Sequence, residues 1–145
     1  MMWNTIHGED RLLLWKKLRT DLKSMTLDKQ LEEVAKFCAS MPFGSRSLDY
    51  YLPADWPTPW EILFHGSFCT SSISLLIFYT LAMIPISVKL ELYLVEDDNG
   101  VYLLPIIDDQ FVLNYELGSV SKYPDACTGV KVLKVYPQDQ IKTIN

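Results

Sequence analysis

Apolar positions recur at helical spacing near the start of the chain. From Glu9 to about Lys23, Leu12, Trp15, Leu18 and Leu22 share one side, with Lys16, Lys17, Arg19 and Asp21 elsewhere. Glu9 and Asp10 suit the positive end of that helix. Thr26 can cap a second helix, Leu27 to Ser40, whose apolar side is Leu31, Val34, Phe37 or Cys38, and Met41; Pro42 and Gly44 close it. The two are expected to pair antiparallel. Thr58-Pro59-Trp60-Glu61 reads as a capping box with proline at the first helical position. A short helix to His65 follows, ended by Gly66. A buried helix then runs from Cys69 or Thr70 to Met83, until Pro85 stops it.

Beyond Pro85 the period becomes two. Val88, Leu90, Leu92 and Leu94 alternate with Lys89, Glu91, Tyr93 and Val95, the pattern of a half-buried strand. Asp97-Asp98-Asn99-Gly100 reads as a hairpin turn, with Asn-Gly supplying positive φ. Val101 to Ile107 returns, and Pro105 within it marks an edge or a bulge. Asp108-Asp109 turns the chain into Phe111 to Tyr115, and a loop leads to a last strand, Val130 to Tyr136. The pattern predicts an α+β fold: N-terminal helices and a buried central helix packed on a C-terminal antiparallel sheet of about four strands. One domain is expected over 1–145, mainly helical over 1–86 and mainly antiparallel strands over 87–145.

The segment between the second and third helices breaks both periods. Pro53, Pro57 and Pro59 exclude a regular element, yet Tyr50, Tyr51, Leu52 and Trp56 are too apolar for a solvated linker. It is expected to lie across the domain, pinned by its aromatics. Ile62 to Val88 lacks formal charge, but its greasy part, Ile73 to Ile86, is too short to span a bilayer, so a buried core helix is the better account.

Composition narrows the function. A net charge of -5 without a strongly basic stretch argues against nucleic acid as a partner. Cys38, Cys69 and Cys127 form no C-x-x-C pair, so zinc-ribbon and thioredoxin readings fail. An odd thiol count and a start without a basic-then-apolar export pattern suggest a reducing compartment, with no secretion by a signal peptide. The acidic turns at Glu96–Asn99 and Asp108-Asp109 lack spaced calcium ligands, and there is no glycine-rich phosphate loop. No metal site and no cofactor are expected. Four Trp and eight Tyr exceed what a minimal core needs, and Tyr50, Tyr51, Trp56 and Trp60 are candidates for contact with a protein partner.

Gly66-Ser67-Phe68-Cys69-Thr70, the buried helix and the strands from Lys89 to Tyr115 together resemble the core of transglutaminase-like and papain-like proteins. The resemblance matches Cys69 to the nucleophile, since a helix N-terminus favours the thiolate. It calls for a His on the first strand after the helix and an Asp or Asn on the next. Asp108 lies near the place of the acid, with Asp109 beside it. No histidine follows Lys89, and the chain has only His7 and His65. His65, four residues before Cys69, is the remaining candidate base. Asp55 to Leu63, Phe68-Cys69, Leu76 to Leu81 and Phe111 to Asn114 are also similar to uncharacterised small proteins of large tailed bacteriophages.

The leading reading is a non-enzymatic structural or protein-interaction module, a phage virion or assembly component found in the host cytoplasm or the virion. The alternative is a cysteine-dependent hydrolase or acyl transferase in which Cys69 attacks, His65 takes the proton and Asp108 or Asp109 assists. A third is a small-ligand module with its pocket between the buried helix and the sheet. Homo-oligomers through the sheet's edge strands fit the first reading.

Overall fold

The computed structural model of the protein describes residues 6–141; Met1–Thr5, part of the stretch read for an export signal, lies outside the described residues. Four α-helices precede a five-stranded antiparallel sheet, one strand more than the period-two pattern indicates. The helices are α1 (Gly8–Leu22), α2 (Leu27–Ala39), α3 (Pro59–His65) and α4 (Ser71–Ala82). The strands are β1 (Leu90–Asp97), β2 (Gly100–Ile107), β3 (Phe111–Leu113), β4 (Val120–Lys122) and β5 (Lys131–Pro137), in the order β4-β3-β2-β1-β5. β1 to β4 form a meander in which β4 is the additional strand, while the expected last strand, β5, does not extend it but crosses over to pair with β1, with a register shift at Leu94/Val95. β4 escapes sequence reading because its three residues carry almost no apolar signal.

Local chemistry explains the helix ends. The Thr58 hydroxyl accepts the Glu61 N–H at 3.2 Å, and Glu61 accepts the Thr58 N–H at 3.1 Å, completing the capping box. Gly66 ends α3 at φ +62, where a side chain would be strained and a Cβ would sit 2.9 Å from Pro42. The orphan carbonyls there are taken by a residue from another helix. Arg11, buried in α1, donates Nε to the Leu63 carbonyl at 2.5 Å and Nη2 to that of Phe64 at 2.7 Å, and Nη1 to Ile6 at 2.5 Å. The guanidinium thus lies against the negative end of α3. Gln30 of α2 does the same for α1, donating to the Leu22 carbonyl at 2.9 Å.

α4 lies in the middle. Every residue from Ser71 to Leu81 is buried, with α2 and α3 on one side and β1 and β2 on the other. The antiparallel pairing expected of α1 and α2 is slight: α1 packs mainly on α3, and α2 mainly on α4. No helix among the described residues is long and apolar enough to cross a membrane.

The sheet is covered on both faces. Leu90, Leu92, Leu94, Leu103 and Ile107 join the main core, while Val95, Leu104, Ile106 and Val112 build a smaller one with Tyr93, Tyr123, Cys127 and Val130. The chain between β4 and β5 thus folds over the outer face, which accounts for the unbroken run Leu103–Ile107. Pro105 sits one residue beyond the β2–β3 pairing, where β2 has no ladder to lose on that side. Positive φ falls on Asp108 and Asp109 and on Gly100, rather than on Asn99. The β2–β3 turn therefore has the left-handed pair expected for a tight hairpin, and the β1–β2 turn does not.

Trp56 is 1% exposed, donates its indole N–H to the Asp49 carbonyl at 2.7 Å and meets Tyr136 edge-on at 5.2 Å. It pins the 43–57 segment to the core. Trp56→Ala is expected to cost about 3–5 kcal/mol in urea unfolding; an unchanged midpoint would contradict its place in the core. Arg11→Met leaves carbonyls of α3 without their donor, and a loss of roughly 2–3 kcal/mol is expected in the same measurement. A loss below about 0.5 kcal/mol, the range of ordinary surface substitutions, would rule out the clamp.

Candidate functional site

Two short stretches of backbone hold Cys69. Gly44 donates to the Phe68 carbonyl at 2.7 Å, Arg46 to that of Ser67 at 3.0 Å, and Cys69 to that of Arg46 at 2.9 Å. Gly44 is needed for this approach, because a Cβ would fall 2.7 Å from the Ser67 oxygen. The Arg46 guanidinium lies over the Phe68 ring at 4.6 Å. Cys69 precedes α4 by two residues, and its carbonyl accepts the Ser72 N–H at 2.9 Å and the Ser72 hydroxyl at 2.6 Å. The thiol is half-buried and lines a cleft of about 700 Å³ at the end of the sheet.

One wall of the cleft is Tyr50, Cys69, Thr70 and Ser71; the strands contribute Asp97, Val101, Tyr102 and Leu103, and the loop after β3 contributes Asn114, Tyr115, Glu116 and Leu117. The wall is cross-tied. The Ser71 hydroxyl meets the Tyr50 hydroxyl at 3.0 Å and accepts the Leu103 N–H at 3.4 Å, and Asn114 donates to Ser74 at 2.9 Å. Asp97 accepts from the Tyr102 hydroxyl and from the Asn99 N–H at 2.8 Å. Burial pushes the ionisation of Tyr102 up, and its hydrogen bond to Asp97 adds to the shift. Burial raises Tyr115 and Tyr50 as well, Tyr115 with a further contribution from the charge of Asp97. These phenols therefore stay neutral at physiological pH, and Tyr102 spends its proton on Asp97.

The structure does not gather the catalytic candidates. His65 is exposed at the end of α3, its ring edge-on to Phe64 at 5.4 Å, and it is not among the residues lining the cleft. Gly66 bends the chain between it and Cys69. His7 precedes α1, also outside the cleft. Asp108 and Asp109 lie at the far end of β2, five residues past Leu103, which is about 16 Å along a strand. There the Asp108 N–H donates to the Lys89 carbonyl at 2.7 Å and Asp109 pairs with Lys89 at 2.6 Å, so both serve the turn. Among the described residues, no group of three or more His, Cys, Asp or Glu side chains could hold a metal ion.

The aromatic candidates divide. Tyr50 lines the cleft, and its carbonyl accepts from the Tyr136 hydroxyl at 2.6 Å. Tyr51 is exposed, Trp60 is partly exposed with its ring edge-on to Trp15 at 5.9 Å, and Trp56 is in the core. Sequence reading weighed Asp97 only as a turn residue and metal ligand, and passed over Ser71, Tyr102, Asn114, Tyr115 and Glu116 as site residues. For Asp97 and Tyr102 the signal was the turn chemistry at Asp97–Gly100, which brings the two together across one hairpin. Cys38 is fully buried and Cys127 half-buried, and burial pushes both thiols up.

No protein-family model matches the chain, and no curated protein matches it in sequence. Solved structures do match in fold. The calcium-bound form of Legionella pneumophila LapG is 15% identical, with a TM-score of 0.72 over 95% of this chain and 83% of that one. An EGTA-treated form of the same protein is 16% identical, with a TM-score of 0.71 over 90% and 77%. A third LapG structure is 17% identical, with a TM-score of 0.72 over 89% and 74%. At such identity the likeness concerns the fold alone. The likeness in fold agrees with the outline of the core read from the sequence.

Proposed function

We propose that the chain is a non-enzymatic protein-interaction module whose cleft beside Cys69 receives a segment of a protein partner. One observation carries this reading: the cleft holds a thiol and no imidazole. Nucleophilic catalysis by cysteine needs a base within hydrogen-bond reach. The strand residues that line the cleft are Asp97, Val101, Tyr102 and Leu103, and the residue following β3 is Asn114. Asp97 is engaged by Tyr102 and Asn99, and Asn114 holds Ser74. The polar groups around the thiol thus tie the wall together, and a fold can keep its cleft while the chemistry is absent. The sequence resemblance of Asp55–Leu63 and Phe111–Asn114 to phage proteins supports a virion or assembly role in a tailed phage as the setting.

The second reading, a cysteine-dependent hydrolase or acyl transferase with Cys69 as nucleophile, is favoured by the fold likeness to LapG and by the thiol's place on the cleft wall. Alkylation separates the two. At about pH 6, iodoacetamide is expected to modify Cys69 no faster in the folded protein than in the urea-unfolded chain, because an unassisted thiol is mostly protonated there. Cys38 is expected to react only after unfolding, since it is sealed in the core. Peptide mass spectrometry reads all three thiols at once. Alkylation of Cys69 more than about tenfold faster in the folded protein would mean an activated thiolate and would establish the enzyme reading instead.

A further inference from the structure

The lining of the cleft is one-sided in charge. Asp97 and Glu116 stand in it, with no lysine, arginine or histidine among the residues that line it. Asp97 is half-buried and held in one orientation by two donors, the Tyr102 hydroxyl and the Asn99 N–H. A carboxylate offers about four acceptor positions, so two remain for a ligand. Glu116 is exposed on the loop after β3, and its backbone N–H is fixed by the Ser119 hydroxyl at 3.2 Å. Tyr102 and Tyr115 add aromatic rings to the same wall, and a ring face attracts a cation. The volume, about 700 Å³, is that of a pocket for a ligand of several groups, far more than one ammonium fills.

We propose that the occupant of the cleft is an extended protein segment anchored by a lysine or arginine side chain, whose charge lies between Asp97 and Glu116 while its backbone runs past Thr70 and Asn114. This deepens the interaction reading and rests on it. Acidic and neutral anchors are disfavoured: the first meets two carboxylates, and the second leaves Asp97 half-desolvated without a cationic partner.

The test is an amide NMR titration of the full chain with the peptide acetyl-Gly-Ala-Lys-Ala-Gly-amide and its norleucine counterpart, which keeps the stem and loses the charge. The lysine peptide is expected to move the amides of Asn99–Leu103 and Asn114–Leu117, and the norleucine peptide to bind about tenfold more weakly, the loss of one charge-assisted contact. Glu116→Gln, an exposed change that leaves the fold alone, is expected to reduce the preference about threefold, and Asp97→Asn with it to abolish the preference. Equal binding of the two peptides at the cleft would overturn the cationic anchor and leave the interaction reading standing. A lysine preference that survives both substitutions would also overturn it. Absence of cleft shifts with either peptide would overturn the anchor together with the cleft as a peptide site.

Discussion

Between Ser71 and Leu81 every residue of α4 is buried, so this helix has no side to give to water and the rest of the chain must close around it. Apolar burial supplies the force, at about 1.5–3 kcal/mol for each large side chain taken out of water. The serine and threonine hydroxyls of the helix set the geometry, because a buried hydroxyl without a partner is costly. Thr80 donates to the Leu76 carbonyl at 2.7 Å and accepts the Trp15 indole N–H at 2.9 Å, which ties α1 to α4. Ser74 takes Asn114, and Ser71 takes Tyr50 and Leu103. Helices, loop and sheet are thus fastened to one buried element by its few hydroxyls.

The same hydroxyls shape the cleft. Ser71 and Ser74 draw the 50s segment, β2 and the loop after β3 toward the start of α4, and the space left between them is where Cys69 stands. Nucleophilic use of such a thiol would need the strands beside it to bring a base. Here they bring an aspartate bonded to a tyrosine, two aliphatic side chains and an asparagine bonded to a serine. A fold of this kind constrains where a ligand can lie more firmly than it constrains what happens to the ligand. The proposed interaction role follows from that separation.

Elements with a strong local signal were legible in the chain. The capping box at Thr58 and Glu61, the stop at Gly66, the burial of α4 and the period-two run of β1 all depend on neighbours within a few residues. β4 was not legible, since Val120-Ser121-Lys122 becomes a strand only because β3 lies beside it. The pairing of β5 with β1 was equally hidden, because nothing in Lys131–Pro137 names its neighbour. The candidate site was half legible. Cys69 and Tyr50 were visible as residue types, whereas Ser71 and Asn114 matter through contacts with Leu103 and Ser74, up to some forty residues away along the chain.

What the sequence by itself determined is the class of the fold, the central helix and the lack of a histidine downstream of Lys89. These rest on hydrophobic period and composition, which are carried by the chain alone. Tertiary structure decided where the side chains meet. It sent Trp56 to the core rather than to the surface, parted His65, Asp108 and Asp109 from Cys69, and set Asp97 and Glu116 at one opening. The physical reason is that burial and hydrogen bonding are settled by packing between distant segments, and packing is not a property of any local stretch.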